Sequence, residues 1–252
     1  MSAKNNVIDL SIVIPAYSEE KRIGSTLEAV ADYLTKDNTL NKLAIEIIVV
    51  SADSEDKTKD VVLSKKHLFE HFIFVAPGPK VGKGRDVKEG MLAASGKAIM
   101  FMDADRATPL RHINEFYSLF LQGKEIIIGT RKLVSHHPNI FRRFVSVMGN
   151  LLFRIVVGIW VTDSQCGFKL FSNRASQLCF GNLSIMGWGF DMEILSIAHA
   201  NKIPITAVPL NDWHDVPGGT FEIKLLRNII SSLSDLWRIF VNRLFNNYKL
   251  KE

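Results

Sequence analysis

In the first half of the chain, short apolar runs end repeatedly at a breaker or an acid. Leu10–Ile14 runs into Pro15, Ile45–Val50 into Ser51, and Ala98–Met102 into Asp103. Continuous apolar runs of this length read as strands buried on both faces, as in parallel sheets. Phe72–Val75 and Glu125–Gly129 read the same way. Between these runs the spacing turns helical. Ile23, Leu27, Val30, Ala31 and Leu34 share one face, and Ser54 or Asp56 is placed to cap a helix through Val61 and Val62. Val87–Ala94 reads as a helix, and Pro109 suits the first turn of another ending at Leu121. The alternation predicts an α/β fold, a doubly wound, mostly parallel sheet with ligands at the carboxyl ends of its strands. Pro15-Ala16-Tyr17, Ser51–Ser54 and Asp103–Asp105 all fall at such ends.

The second half is less regular. Phe141, Phe144, Val145, Met148, Leu151, Leu152 and Ile155 make an amphipathic helical stripe. Gly167–Phe171 and Ile203–Leu210 read as strands and Phe190–Ala200 as a helix. A Pro217-Gly218-Gly219 turn then precedes a last helix to about Phe245. That helix interleaves Phe221, Leu225, Leu226, Ile229, Ile230, Leu233, Leu236, Trp237 and Phe240 with Lys224, Arg227, Arg238 and Arg243. The organisation expected is one domain over residues 1–220 and an amphipathic, membrane-associating helix over 221–252. Core packing or a homo-oligomer contact is the alternative use of that helix.

Composition narrows the class. The 252 residues are 47% hydrophobic and 23% charged, ordinary for a globular protein, with a net charge of +5. Between Arg131 and Arg154 lie five Lys/Arg and no acid, and from Phe221 to Glu252 six basic residues face three acidic ones. Basic segments interleaved with apolar residues point to a phosphate ligand or an anionic membrane surface. Nucleic acid is disfavoured, because no recognition motif accompanies the charge. Cys166 and Cys179 are too few for a disulfide framework or a zinc site. The polar Met1–Asp9 has no signal-peptide pattern, and no apolar run approaches the ~20 residues of a membrane span. The expected location is cytoplasmic, peripheral on the cytoplasmic face of a membrane.

One stretch carries most of the chemistry. Gly82-Lys83-Gly84-Arg85 opens a helix, and Ala98–Met102 then ends in Asp103-Ala104-Asp105. Two carboxylates one residue apart at a strand end can hold Mg²⁺ or Mn²⁺ bridged to a diphosphate. Glycine-flanked cations at a helix start can bring backbone N–H groups and positive charge to phosphate, although the spacing is not that of a P-loop.

These residues carry a resemblance. Ser11-Ile12-Val13-Ile14-Pro15-Ala16-Tyr17-Ser18-Glu19 resembles the Val-Ile-Pro-Ala-Tyr-Asn-Glu opening of family-2 glycosyltransferases, which have the Rossmann-like GT-A fold. Asp163-Ser164-Gln165-Cys166-Gly167-Phe168-Lys169-Leu170-Phe171 is similar to a segment of the dolichyl-phosphate β-glucosyltransferase branch. Gly129-Thr130-Arg131, Phe190-Asp191-Met192-Glu193-Ile194-Leu195 and Lys202-Ile203-Pro204-Ile205 fit that branch too. The resemblance implies that Pro15, Ala16, Tyr17 and Glu19 line a nucleotide pocket, with Lys83 and Arg85 near the diphosphate. It also implies that Asp103 and Asp105 serve ribose and metal, and that Asp163 and Gln165 sit beside the reacting sugar. Arg131, Arg142 and Ser146 match positions that meet the acceptor phosphate in polyprenyl-phosphate transferases.

The chain departs from the family in three places. The usual Val-Asp-Asp-Gly-Ser after the second strand reads Val50-Ser51-Ala52-Asp53-Ser54, so Asp53 is left as the acid for the base and the choice of base stays open. Ala107 replaces a Gln common in the mannosyl branch. Gly218-Gly219-Thr220 replaces a Gly-Ser-Lys, leaving His214 as a third metal or diphosphate contact. The activity expected is inverting transfer of a hexose, glucose first, from a nucleotide-diphosphate sugar to a polyprenyl phosphate. A GDP-mannose-dependent enzyme, or a soluble transferase with a water-soluble acceptor, is the alternative.

Overall fold

The computed structural model describes residues 7–131, 153–159, 161, 163–214 and 225–249, the last segment with side chains from Ser231 onward. Strands form where the apolar runs predict them: β1 (Leu10–Pro15), β2 (Ile45–Val50), β3 (His71–Val75), β4 (Ala98–Met102), β5 (Ile126–Arg131), β6 (Phe168–Ser172) and β7 (Ile205–Leu210). They make one seven-stranded sheet in the order β3-β2-β1-β4-β6-β5-β7. The β1 pairs with β2 and β4, and the pairs β2·β3 and β5·β7, are parallel, whereas β6 runs antiparallel between β4 and β5. The sheet is thus mostly parallel, and one reversed strand joins its two halves.

Helices cover both faces: α1 (Ile23–Lys36), α2 (Thr58–Ser64), α3 (Lys83–Ala93), α4 (His112–Leu121), α5 (Asn173–Gly181), α6 (Phe190–Ala200) and α7 (Leu225–Leu244). Because successive strand residues point to opposite faces, Val13, Ile48, Phe101 and Phe171 join one apolar layer with residues of α3, α5 and α6. Ile12, Ile47, Met100 and Leu170 join the other, with residues of α1 and α4. Phe101 is fully buried and meets the rings of Phe180 and Phe190 at 6.4 and 5.9 Å. Its truncation to alanine would cost about 3–5 kcal/mol in transfer and cavity terms.

Several boundaries differ from expectation for physical reasons. α3 begins at Lys83 rather than Val87, because its first turn is polar and escapes an apolar-periodicity reading. α4 begins at His112; Pro109 sits in the preceding turn, where its carbonyl accepts the His112 N–H. The N-cap position of α2 falls to Lys57, which makes no side-chain cap; Asp56, one residue earlier, accepts from the Thr58 N–H and the Ser54 hydroxyl. Residues 153–157 are described and helical, but the apolar face differs from the expected stripe: its one described member, Ile155, is 71% exposed, while Phe153 and Val157, four residues apart, are buried. Arg142, Ser146 and the Gly218–Thr220 turn lie outside the described residues.

α7 has two apolar faces. Leu236 and Ile239 are buried in the layer that contains α6. Leu233, Trp237, Phe240 and Leu244 recur at helical spacing and are exposed, as is Phe245 just beyond the helix. Among the described residues, no helix is long and apolar enough to cross a membrane.

Candidate active site

Asp103 follows β4 directly. Its N–H donates to the Gly167 carbonyl at 3.1 Å, which fixes the carboxylate beside the start of β6. A Cβ on Gly167 would overlap that carboxylate, so the close approach requires glycine. Lys83, the first residue of α3, brings Nζ to 2.5 Å from Asp103 Oδ1. Burial alone would lower the Lys83 pKa, but the charges of Asp103 and Asp191 outweigh it and raise it, so the ammonium is kept. Asp105 lies on a tight turn that includes Arg106 in the left-handed region (φ 58), and its Oδ1 accepts the Ala107 N–H at 3.0 Å.

Glu19 feels the same field. Burial chiefly pushes its carboxyl up, Arg22 opposes this, and Asp105 and Asp103 add to it. Negative charge therefore converges at the ends of β1 and β4, and a divalent cation would relieve it. Asp103 and Asp105 offer hard oxygen ligands to such an ion. Among the described residues no three His, Cys, Asp or Glu side chains are grouped as a metal cage. That donor set suits Mg²⁺ or Mn²⁺, which take one or two carboxylates and complete their shell with substrate phosphates and water. His214 is not brought into a three-ligand set with the two aspartates. It is exposed, and its backbone N–H donates to the Ala107 carbonyl.

The Gly82–Arg85 turn differs from its expected role. A Cβ on Gly84 would stand 2.7 Å from Phe190 Cβ and 2.8 Å from the Ile185 carbonyl, so the second glycine lets α3 pack against the loop before α6. The Arg85 and Asp86 N–H groups at the start of α3 donate to the Gly82 carbonyl, and that of Arg85 also to Met186. They are not aimed at an open phosphate site. The Arg85 guanidinium donates to the Pro77 and Gly78 carbonyls at 3.1 and 3.4 Å. Gly78 also accepts the Asp53 N–H at 2.9 Å. Arg85, which also pairs with Asp86 at 3.3 Å, therefore shapes the loop facing the ends of β2 and β3, while Lys83 pairs with Asp103.

The residues expected to line a nucleotide pocket sit at the end of β1. Ala16 is buried and donates its N–H to Val50, Tyr17 lies under Lys80 with Nζ 3.8 Å from the ring centre, and the Glu19 N–H donates to the Thr58 hydroxyl at 2.8 Å. Pro15 closes β1. Ser51 and Ala52 are buried, while Asp53 is exposed. The departure from the family pattern thus leaves one acid on the open side of this loop.

A second charged pair forms at the end of β5, which β6 separates from β4. Arg131, the last residue of β5, donates from Nε to Asp163 Oδ2 at 2.6 Å and from Nη2 to Oδ1 at 3.1 Å. The N–H groups of Arg131 and Gln165 also donate to this carboxylate, at 3.2 and 3.0 Å. Asp163 is 1% exposed, and the Trp213 ring lies 5.2 Å from the guanidinium. Burial works against the Arg131 charge, but the Asp163 hydrogen bonds and charge prevail and raise its pKa further. Both Asp163 oxygens are committed, and they orient Arg131. Gln165 points to the exposed side of the segment.

Sequence reasoning quoted Lys169, Asp191 and Glu193 in motifs but gave them no role. Lys169 is fully buried in β6, donating to the Cys166 carbonyl at 2.6 Å and to Asp191. Burial pushes the Asp191 carboxyl up, while Lys169 and Lys83 pull it down. Glu193, fully buried, accepts the N–H groups of Ser184 and Ile185 and the Tyr248 hydroxyl at 3.0, 2.6 and 2.8 Å. A lysine inside an otherwise apolar strand and acids inside an apolar helix were the available signals.

Residues 11–179 match the model of glycosyl transferase family 2. The chain belongs to glycosyl transferase family 2. Among its relatives, a dolichyl-phosphate beta-glucosyltransferase of Trichomonas vaginalis is 31% identical over 96% of this chain and 76% of that protein. The dolichyl-phosphate beta-glucosyltransferases of Drosophila melanogaster and Saccharomyces cerevisiae are each 30% identical, covering 96% and 86% of this chain and 78% and 70% of theirs. Family-2 architecture recurs in solved structures. Glucosyl-3-phosphoglycerate synthase from Mycobacterium tuberculosis, crystallised with Mn²⁺, UDP and glucosyl-3-phosphoglycerate, superposes with a TM-score of 0.63 at 19% identity, over 91% of this chain and 80% of its own. A mannosyltransferase from Pyrobaculum calidifontis, in complex with GDP-Man and Mn²⁺, gives 0.58 at 17% identity, over 91% and 64%. Both likenesses bear on the fold, which is the GT-A arrangement expected of family 2.

Proposed function

We propose that this glycosyltransferase moves glucose from a nucleotide-diphosphate sugar to a dolichyl-type polyprenyl phosphate, with inversion at the anomeric carbon. The observation that carries the reading is that the Lys83–Asp103 pair at the end of β4 and the Arg131–Asp163 pair at the end of β5 flank β6, with the Arg131 charge in the field of Asp103. One end is suited to a diphosphate and the other to a phosphate. The dolichyl-phosphate beta-glucosyltransferases among the relatives support this choice of sugar and lipid.

In this reading Asp103 and Asp105 hold Mg²⁺ or Mn²⁺, which when bound supplies Lewis-acid stabilisation of the leaving diphosphate. Lys83 stays charged beside Asp103 and offsets the negative charge that develops there. An oxygen of the acceptor phosphate bonds to the anomeric carbon as the bond to the diphosphate breaks, and the electron pair leaves with the nucleoside diphosphate. The acceptor is already anionic near neutral pH, so the chain need not supply a strong base. Asp163 takes one edge of the Arg131 guanidinium and fixes its plane, and the rest of that group meets the acceptor phosphate together with Arg142 and Ser146. Pro15, Ala16, Tyr17, Glu19 and Asp53 hold the nucleotide, with Gln165 at the sugar.

The exposed stripe of α7 rests on the cytoplasmic face of a bilayer, where the acceptor is embedded. Vesicle co-sedimentation undiminished by removal of residues 221–252 would oppose that placement. The activity is tested with a panel of UDP- and GDP-sugars, polyprenyl phosphate and Mn²⁺ or Mg²⁺. The reading expects glucose in the lipid extract. Mannose there, or product confined to the aqueous phase, would replace it with a mannosyltransferase or a soluble-acceptor enzyme.

A further inference from the structure

The turn after β7 is anchored from two directions. At its start Asp212 meets the beginning of α4: His112 Nε2 lies 2.8 Å from Asp212 Oδ1, and Arg111 pairs with the other oxygen. At its end the His214 N–H donates to the Ala107 carbonyl at 3.2 Å. Between these anchors sits Trp213, whose ring centre is 5.2 Å from the Arg131 guanidinium. His112 is itself fixed. It is buried, its Nδ1 lies 2.6 Å from Glu115 Oε2, and its ring meets that of Phe168 edge-on at 6.5 Å. A carboxylate only accepts, so a proton on each ring nitrogen satisfies both contacts. Burial works to raise the Asp212 carboxyl, but the hydrogen bond from His112, a backbone bond and the Arg111 charge prevail and lower it, so the anchor stays charged.

We propose that His112 is a positioning residue for the acceptor side: by holding Asp212 it sets the turn that keeps the Trp213 ring against Arg131. The guanidinium that meets the acceptor phosphate is thereby fixed, and the role rests on that reading of Arg131. Asp163 takes the Nε–Nη2 edge and leaves Nη1 without a hydrogen bond among the described residues. Contact along one edge still lets the group swing about that edge, and an aromatic ring beside the cation closes one side of the swing. The ring in turn needs support from outside its own turn, because the Trp213 N–H makes just a long 3.5 Å bond to the Leu210 carbonyl. Asp212, the residue before it, supplies that support through His112. A buried imidazole is costly unless its nitrogens are bonded, and here one bond goes to its own helix and the other to the turn. The separate bond from His214 to Ala107 keeps the Asp105 turn in place when Asp212 is released, so the effect falls on the acceptor side.

The test uses the full chain with UDP-glucose, dolichyl phosphate and Mn²⁺. Asparagine places its amide nitrogen near the position of imidazole Nδ1, and glutamine near that of Nε2. His112→Asn therefore keeps the Glu115 contact and loses Asp212, whereas His112→Gln keeps Asp212. The expected result is a KM for dolichyl phosphate raised about tenfold in His112→Asn and within about twofold of the parent in His112→Gln. The KM for UDP-glucose should hold in both. Asp212→Ala cuts the same contact from the less buried side and should match His112→Asn, which covers a folding failure of either variant. In a Trp213→Leu background His112→Asn should add no further rise, since the clamp acts through that ring. Equal acceptor KM in the Asn and Gln variants, an undiminished His112→Asn effect in Trp213→Leu, or a matching rise in the UDP-glucose KM would each overturn the proposal. With fluorotryptophan incorporated, the Trp213 resonance, assigned by its absence from Trp213→Leu, should shift in His112→Asn and keep its place in His112→Gln. An unmoved resonance in both would also overturn it. A parent chain that moves no glucose to dolichyl phosphate would strike the acceptor reading, and the resonance would still decide on the clamp.

Discussion

Lys83 and Asp103 meet at the end of β4 with the carboxylate side chain 35% exposed, whereas Arg131 and Asp163 meet at the end of β5 with the carboxylate side chain 2% exposed. The first pair uses a point charge on a flexible stem and leaves Asp103 accessible. The second uses a planar fork, and Asp163 has both oxygens occupied by Arg131 and the Gln165 N–H. The open pair resembles a site waiting for a ligand. The closed pair resembles a scaffold that aims one cation. Removing a partner should therefore harm chemistry on the donor side and folding on the acceptor side.

The sharpest break in that comparison is Asp103→Asn. It should lower kcat/KM by roughly a thousandfold or more, because it removes charge stabilisation where the leaving group develops charge. Asp191 still faces the Lys83 ammonium and the asparagine keeps a hydrogen-bonding oxygen, so the melting temperature should fall less than in the Arg131 variant below. Steady-state kinetics beside a thermal melt checks both halves. Arg131→Ala inverts the pattern: it strands a buried carboxylate and should cost about 3–5 kcal/mol in urea unfolding, with the acceptor KM raised as well. Arg131→Lys should recover little, since an ammonium cannot reproduce the two-point contact.

Tyr248→Phe asks whether the loop between α5 and α6 is tied to the C-terminal segment. It deletes one hydrogen bond to the buried Glu193 carboxylate and should cost about 1–3 kcal/mol. Hydrogen exchange should rise first at the Ser184 and Ile185 amides.

The smallest effect concerns the thiols. Burial foremost pushes both Cys166 and Cys179 up to about 12, with nearby Asp163 adding at Cys166. The thiolate is the reactive form, so its fraction grows about tenfold per pH unit and is only ~10⁻⁴ at pH 8. Iodoacetamide should label neither cysteine at pH 8 in the folded protein and both after urea. Rapid native labelling of Cys166 would mean that the Asp163 segment opens.

The strands were legible because a doubly buried strand writes itself as an unbroken apolar run, as Leu10–Ile14 and Ala98–Met102 do. The direction of β6 was not, since a five-residue run such as Phe168–Ser172 carries no mark of which way it enters the sheet. Asp103, Asp105 and Lys83 stood out by their placement after a strand and at the start of a helix. The partners of Arg85, the Pro77 and Gly78 carbonyls and the Asp86 carboxylate, were not legible, because a charge looks the same in sequence whatever it faces. The Lys169–Asp191 pair and the Glu193 latch depend on partners 22 and 55 residues away, contacts made only when the chain closes.

The central claim is that the two pairs serve one transfer reaction, and lipid extraction after incubation with radiolabelled UDP-glucose, dolichyl phosphate and Mn²⁺ tests it most directly. The account predicts label in the organic phase with the parent chain and almost none with folded Asp103→Asn or folded Arg131→Lys. Full transfer by either folded variant would contradict it.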